Sequence, residues 1–489
     1  MSYQVPQNID PNKIFLVNRS EIEGRLDPSF YTKHFLDIID EIKKCERYNR
    51  LYQIARFSSE YWNQKDMYEN EFPYIEIGAL NIEDGRIEEV AYIPIENAPS
   101  RAKVIVRAND IIVSTTRPNR GAIVRITKDE NLFIASTGFS VIREINSSVN
   151  PDYLYMVLRL GFVLEQLSQR STGGNYPAIT QEELGKVFIP IPSLITQQKI
   201  VEYYNAAYNK KRQKNLQANT LLNGIDDYLL GELGIKLPDT KSQTLQDRIF
   251  TVSISEVRDG RFDPKLYSIS VKQLKQSLYM SPFDKQPLKY FIKNNCSGEW
   301  GKDESEEVDE NKYTKCLVIR ATEFDNTYNL RLDNSRVKYR WIENSKLSRM
   351  NILTNDLLIE KSGGSEDQPV GRISILADEI LKGKQIAYSN FIHKITVEGI
   401  NPMYLYFYLR AMYNIKITDS MQSQTNGIRN LIMQEYFNQT IVIPPVSKQQ
   451  EIVAHISEMR AQAKKLQAEG AEILQKAKME VERMILGYY

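Results

Sequence analysis

Between residues 200 and 228 one stripe of positions recurs at alternating intervals of four and three: Ile200, Tyr204, Ala207, Lys211, Lys214, Ala218, Leu221, Ile225 and Tyr228. Between 452 and 477 the same rhythm returns as Ile452, Ile456, Met459, Ala463, Leu466, Gly470, Ile473 and Ala477. Four-three spacing sustained this long is a coiled-coil seam, so the pattern predicts two long helices, over 196–236 and 447–489. Roughly 33 helical residues span about 50 Å. Small residues on both stripes let two backbones approach closely, and the pattern suits an antiparallel pair within one chain. The alternative is that each helix packs on its own globular neighbour. Ahead of each helix the pattern changes to short β-rich runs, such as YIEIGAL, DIIVS and AIVRI, then CLVIRA, DLLIE and RISIL. These runs, with at least one helix among them, predict compact α+β domains over 1–195 and 237–446.

The two halves are copies of one another. GRLDPSFY (24–31) returns as GRFDPKLY (260–267), and NDIIVSTTRPNRGAIVRI (109–126) as NDLLIEKSGGSEDQPVGRISIL (355–376). NPDYLYMVLR (150–159) returns as NPMYLYFYLR (401–410), and AITQEELGKVFIPIP (178–192) as NLIMQEYFNQTIVIP (430–444). QQKIV (197–201) returns as QQEIV (449–453). A unit this long is no solenoid repeat; it is a whole domain-plus-helix duplicated and diverged.

The repeated Asn-Pro-x-Tyr comes close to the Asn-Pro-Pro-Tyr with which adenine methyltransferases hold a flipped base. The second proline is Asp152 in one copy and Met403 in the other, and no glycine-rich cofactor loop follows an upstream strand. Asn as N-cap and Pro at the first helical position explain the motif as a helix start. No phosphate loop and no nucleophile elbow is present, and the three histidines are isolated, so the sequence predicts no catalytic residue and no metal site. DESEEVDE (303–310) reads as a solvated acidic loop rather than a cation site. The net charge of +1 provides no global field toward nucleic acid, so basic groups for such a partner must be local. Three cysteines without a CxxC pair, no long apolar run and no signal-like start predict a cytoplasmic chain with no membrane segment.

Two pairs of loops differ between the copies while the blocks around them match. STTRPNRG (114–121) carries Arg117, Asn119 and Arg120, side chains able to read guanine and adenine edges. Its counterpart EKSGGSEDQP (360–369) carries Lys361, Ser362, Gly363 and Gly364. The second pair is RSTGGNYPAI (170–179), with Thr172, Gly173, Gly174, Asn175 and Tyr176, against SQTNGIRNL (423–431), with Thr425, Asn426, Gly427 and Arg429. Glycine, hydroxyl and amide groups beside a positive charge suit phosphate and base-edge contacts. Ordinary polar turns are the competing explanation.

These blocks resemble the specificity (S) subunits of type I restriction-modification enzymes. IPIPSLITQQKIV and IVIPPVSKQQEIV, each opening a long helix, look like that family's hallmark, with Thr196 and Lys448 where it usually has Glu. The GR-x-DP-x-x-Y starts and NP-x-YLY-x-x-LR helices match as well. The resemblance implies two target recognition domains joined by the two helices as an intrachain antiparallel coiled coil. Each domain is then expected to read half of an interrupted target in double-stranded DNA, with half-sites roughly 34–36 Å apart. It also implies a chain that binds no cofactor and partners two modification (M) subunits and restriction (R) subunits. S-adenosylmethionine, ATP and Mg are expected in those partners. The rivals are an S-like component of another multisubunit system, a self-contained methyltransferase or nuclease, and a coiled-coil adaptor for proteins alone.

Overall fold

The computed structural model describes residues 10, 14–64, 67–238, 249–254, 257, 264–325, 330–332, 337–365, 368–425 and 428–487. The chain divides into two compact units, Met1–Lys214 with Ala468–Tyr489, and Asn215–Gln467. Each long helix is therefore shared between them.

The first unit holds two four-stranded sheets. In one, Ala55–Phe57, β2 (Phe139–Ile145), β1 (Ile111–Ser114) and Ile123–Arg125 lie side by side and antiparallel. In the other, Ala91–Pro94, Glu71–Ile75, Ile134–Ser136 and Ala102–Ile105 follow in order, and Ile134–Ser136 runs parallel to Glu71–Ile75. The second unit repeats this plan. Ile292–Ser297, β5 (Ile392–Val397), β3 (Leu357–Glu360) and Ile373–Ile375 form one sheet. Lys302–Asp303, Lys338–Glu343, Tyr313–Ile319 and Ile386–Tyr388 form the other, whose parallel pair, Tyr313–Ile319 with Ile386–Tyr388, lies at the edge of the sheet instead of its centre. Both β1 and β3 are buried along their whole length, which is why they read as unbroken apolar runs.

The repeated Asn-Asp before these strands is a turn with a buried charge. Asn109 and Asn355 take left-handed backbone at φ 75° and 68°, which Asn tolerates better than most residues. Asp110 accepts the Arg107 amide at 2.8 Å, and Asp356 accepts the Leu353 amide at 2.8 Å. Each carboxylate is then paired from the neighbouring strand, Asp110 with Arg143 at 2.9 Å and Asp356 with Lys394 at 2.8 Å. The cation and its register differ between the copies, Arg143 following the residue opposite Ile111 and Lys394 preceding the residue opposite Leu357, yet the pairing is kept. In the second unit both side chains are fully buried, and Lys394 also donates to Asn351 O and Thr396 Oγ1.

The Asn-Pro motifs open α1 (Pro151–Val157) and α3 (Pro402–Asn414). Asn150 Oδ1 accepts the Asp152 and Tyr153 amides, and Asn401 Oδ1 those of Met403 and Tyr404, as N-caps do. Tyr153 and Tyr404 are buried and donate to the Pro190 and Val442 carbonyls at 3.0 and 2.7 Å. Burial pushes the Tyr153 phenol upward. These tyrosines fasten α1 and α3 to the strands before the long helices. The backbone amide of each capping Asn is received by a buried glutamine in the next long helix. Gln197 Oε1 accepts from Asn150 at 2.7 Å and Gln449 Oε1 from Asn401 at 3.0 Å. Their amide groups donate back to Pro192 and Pro444 carbonyls at 2.8 and 2.9 Å. The repeated IP-x-x-x-x-Q spacing is thus a lock between helix and domain.

The long helices are α2 (Leu194–Glu232) and α4 (Val446–Leu486). The sequence pattern runs the first to 236, but Gly234 in left-handed backbone closes it at Glu232, with the Ile235 amide returning to Leu230 O at 2.9 Å. Gly487, at φ 77°, stands just beyond the second, which ends at Leu486; residues 488 and 489 lie outside the described residues. Within each unit their halves pair antiparallel. In the first unit Lys214 meets Glu469 at 2.5 Å and Gly470 faces Lys211, where an added Cβ would stand 3.4 Å from the Lys211 Cα. In the second, Lys448 pairs with Glu232, and the Tyr228 and His455 rings lie 4.2 Å apart. As position rises on one helix it falls on the other. Ile200, Tyr204, Lys211, Ala218 and Ile225 are buried as the stripe requires. On α4 the stripe holds through Gly470, then passes to Leu474, Ala477, Val481 and Ile485, leaving Ile473 half-buried.

The two seam lysines both have partners. Lys214 has Glu469, and buried Lys211 reaches Glu83 and Asp84 at 3.2 and 3.4 Å in the turn between Leu80–Asn81 and Arg86–Ile87. Among the described residues no helix is long and apolar enough to cross a membrane.

Replacing Lys394 by Met leaves Asp356 charged and alone in the interior, and should cost about 3–5 kcal/mol in urea unfolding. At the seam, Gly470→Ala should be neutral or slightly stabilising, because helix propensity improves by about 1 kcal/mol. Gly470→Leu should instead lose about 1–3 kcal/mol through overpacking. The contrast between the two unfolding midpoints checks the close approach at Lys211.

Candidate nucleic-acid interface

In the first unit the loop after β1 and the loop at 170–179 come together. Ile179 N donates to Thr115 O at 2.8 Å, and Arg117 N to Pro177 O at 2.7 Å. Thr172 and Ala178 exchange two hydrogen bonds of 2.8 Å, closing a small hairpin whose turn contains Gly173 at φ 106°. Arg117 itself has left-handed backbone at φ 47°, an uncommon state for a residue with a Cβ. Its guanidinium stands 4.3 Å from the Tyr176 ring and donates to the Asn175 carbonyl at 2.8 Å. Half-buried, Arg117 clamps one loop on the other. Asn119 and Arg120 are exposed and have no side-chain partner among the described residues. Thr172, Gly174, Asn175 and Tyr176 are exposed beside them, the Tyr176 ring 70% so. The first unit thus presents one arginine and two amides outward, backed by an Arg–Tyr stack.

In the second unit the corresponding loops form a sheet. β4 (Ser362–Gly364) pairs with β7 (Ile428–Leu431), which pairs with β6 (Gln422–Thr425). Gly363 has φ 102°, and a Cβ on Gly364 would fall 2.8 Å from Gln368 O and Val370 N, so both glycines are required by the backbone. Ser362 Oγ donates to Asn430 Oδ1 at 2.7 Å. Lys361 turns inward, its ammonium donating to Ser297 Oγ at 2.9 Å, and burial lowers its pKa. Ser297 Oγ also meets His393 Nδ1 at 3.1 Å, and His393 Nε2 lies 3.0 Å from Asn295 Oδ1. Burial first, and Lys361 second, push His393 down to about 4. Lys361 therefore ends an internal polar chain beneath β4. Arg429 is half-buried on β7; Thr425 ends β6, and Asn426 and Gly427 lie outside the described residues. Asn430, which the repeat sets against Ala178, is not among the residues predicted from the loops; the period-two alternation of IRNL is the signal that points to it.

The acidic run is tied down by its neighbours. Glu304 pairs with Lys315 at 2.6 Å and Asp303 with Arg340 at 3.3 Å, while the Trp341 indole donates to Glu304 O at 3.3 Å.

Two copies of one framework, each presenting a pair of unlike loops, define a class of recognition proteins. The chain belongs to the family described as type I restriction modification DNA specificity domain, whose model matches residues 50–219 and 306–474. The chain is also similar to the type I restriction enzyme HindI specificity subunit of Haemophilus influenzae, 27% identical over 157 residues. That match covers 31% of this chain and 34% of the relative, about a third of its length. Among solved structures it resembles the HsdS subunit from Thermoanaerobacter tengcongensis, at 18% identity and a TM-score of 0.36, covering 91% of this chain and 97% of that one. The type I restriction-modification S subunit from M. genitalium is similar at 11% identity and a TM-score of 0.38, covering 90% and 96%. The family assignment rests on the sequence match.

Arg117→Gly keeps the left-handed turn but removes the clamp. Hydrogen exchange at the Thr172 and Ala178 amides should accelerate, while the unfolding midpoint stays within about 0.5 kcal/mol of the parent.

Proposed function

We propose that this chain is the non-catalytic DNA-reading subunit of a type I restriction-modification complex. Each unit reads one half of a bipartite target through its loop pair. The observation that carries this reading is the contrast between a framework kept down to its buried ion pair and capping glutamine, and loops that differ at nearly every position. A scaffold used twice for unlike targets has this signature. Chemistry then belongs to the partners: two modification subunits that bind S-adenosylmethionine and methylate adenine, and restriction subunits that use ATP and Mg. Near-neutral charge suits a reader whose partners supply much of the contact to the DNA backbone. Arg120, Asn119, Asn175 and Tyr176 are the proposed contacts of the first unit; Arg117 acts by holding their loops together. In the second unit Ser362, Asn426 and the glycine-bearing turns are the proposed contacts, and Lys361 and Arg429 act from beneath. An S-like subunit of another multisubunit methylation system is the second reading, favoured by Thr196 and Lys448 at the hallmark's Glu position; neighbouring genes for modification and restriction subunits decide between them.

Arg120→Ala should relax one base position in one half of the methylated motif and cost about 1–3 kcal/mol of binding. Genome-wide methylation profiling of a host carrying the variant with its partners reads this out, and an unchanged motif for both Arg117→Ala and Arg120→Ala sinks the loop assignment. Calorimetry of the isolated chain with S-adenosylmethionine should give no heat; a measurable binding isotherm would instead support a self-contained methyltransferase.

A further inference from the structure

We propose that Asn430 reads an adenine in the half-site of the second unit, with the ribbon of β6 and β7 laid in the major groove. The inference rests on the DNA-reading function proposed above and adds a residue and a base to it.

Cross-strand partners in an antiparallel sheet share a face, and Asn430 is paired with Ser362 on β4 and with Ser423 on β6. Leu431 is paired with Gln422, and both are buried. The Leu431 side therefore faces the core, and the alternate side, carrying Ser423, Asn430 and Ile428, faces out. Ser423 is exposed, Ile428 is 51% exposed and Asn430 itself is half-buried. By the same alternation Arg429 lies on the inner side, so Asn430 is the better placed of the two to meet a base.

The carboxamide of Asn430 is oriented before any ligand arrives. Ser362 donates to its Oδ1 at 2.7 Å, which fixes the side chain across the strand. One lone pair of Oδ1 remains, and Nδ2 has no partner among the described residues. A free N–H beside a half-used carbonyl matches adenine, whose major-groove edge offers the N7 acceptor next to the N6 donor. The groove admits a two-stranded ribbon. Outward residues on a strand recur about every 6.8 Å, twice the spacing of about 3.4 Å between successive bases. Ile428, two residues along, then falls about two base pairs away, where its apolar end suits a thymine methyl group. In the first unit the equivalent positions are Thr116 and Ala178, which offer no such amide. The two units would read different bases at the same place in the fold.

The test uses the chain assembled with its modification subunits and duplexes carrying the motif found by methylation profiling. Each adenine in turn is replaced by 7-deazaadenine, which lacks only the N7 acceptor. One position in one half should lose roughly fivefold or more in affinity. Asn430→Ala should erase that sensitivity while leaving the other half unchanged, and Ser362→Ala should reduce it. If the alanine variant fails to assemble, Asn430→Ser gives the same comparison. A wild-type complex with no sensitive adenine, or an Asn430→Ala complex that keeps every sensitivity, overturns the proposal. A wild-type complex that binds all sequences alike would instead overturn the DNA-reading function itself.

Discussion

Two buried glutamine side chains couple each globular domain to its long helix. Gln197 and Gln449 each sit in the first turn of a helix of about forty residues, yet their oxygens receive the backbone amides of the residues that cap α1 and α3. An amide buried away from water must be paired or it costs about 1–3 kcal/mol, so neither side can shift alone. The same glutamines return a hydrogen bond to the proline carbonyl just upstream, fixing the corner between strand and helix. Domain and helix therefore behave as one piece within each unit, and loops can vary around a support that does not.

That support tolerates chemical change if the pairing survives. Arg143 and Lys394 reach Asp110 and Asp356 from the same neighbouring strand but from different register positions, and each finds additional acceptors suited to its own geometry. Arg143 also reaches Glu60, whose carboxyl is held down to about 2, chiefly by Arg107 and then by Arg143. Lys394 uses a carbonyl and a hydroxyl instead. One solution is half-exposed and fork-shaped, the other dry and compact. Loop chemistry diverges further, from an Arg–Tyr clamp in one unit to a three-stranded sheet with a Ser–Asn bond in the other.

The duplication, the capping role of Asn150 and Asn401, and the seam as far as Gly470 were all legible in the sequence. Each depends on local spacing, and local spacing is what a sequence displays. The partners of Lys211 were not legible, because Glu83 and Asp84 lie more than 120 residues away along the chain. Nor was the inward turn of Lys361, whose acceptor Ser297 belongs to a strand 64 residues earlier. The candidate loops were found because they differ between the copies; which side chains face outward depended on strand pairing that appears only in three dimensions. Asn430 stayed hidden within a block that otherwise read as framework.

The buried ammonium of Lys211 also acts as an index mark for the helix pair. It lies against a glycine and under a single acidic turn, so only one alignment of the two helices supplies both the room and the counter-charge. Sliding by one helical turn, about 5.4 Å, would press a bulkier residue onto that backbone and carry the charge away from its carboxylates. Apolar contacts along a regular stripe would accept many alignments almost equally; a buried cation at a tight spot makes the unwanted ones costly.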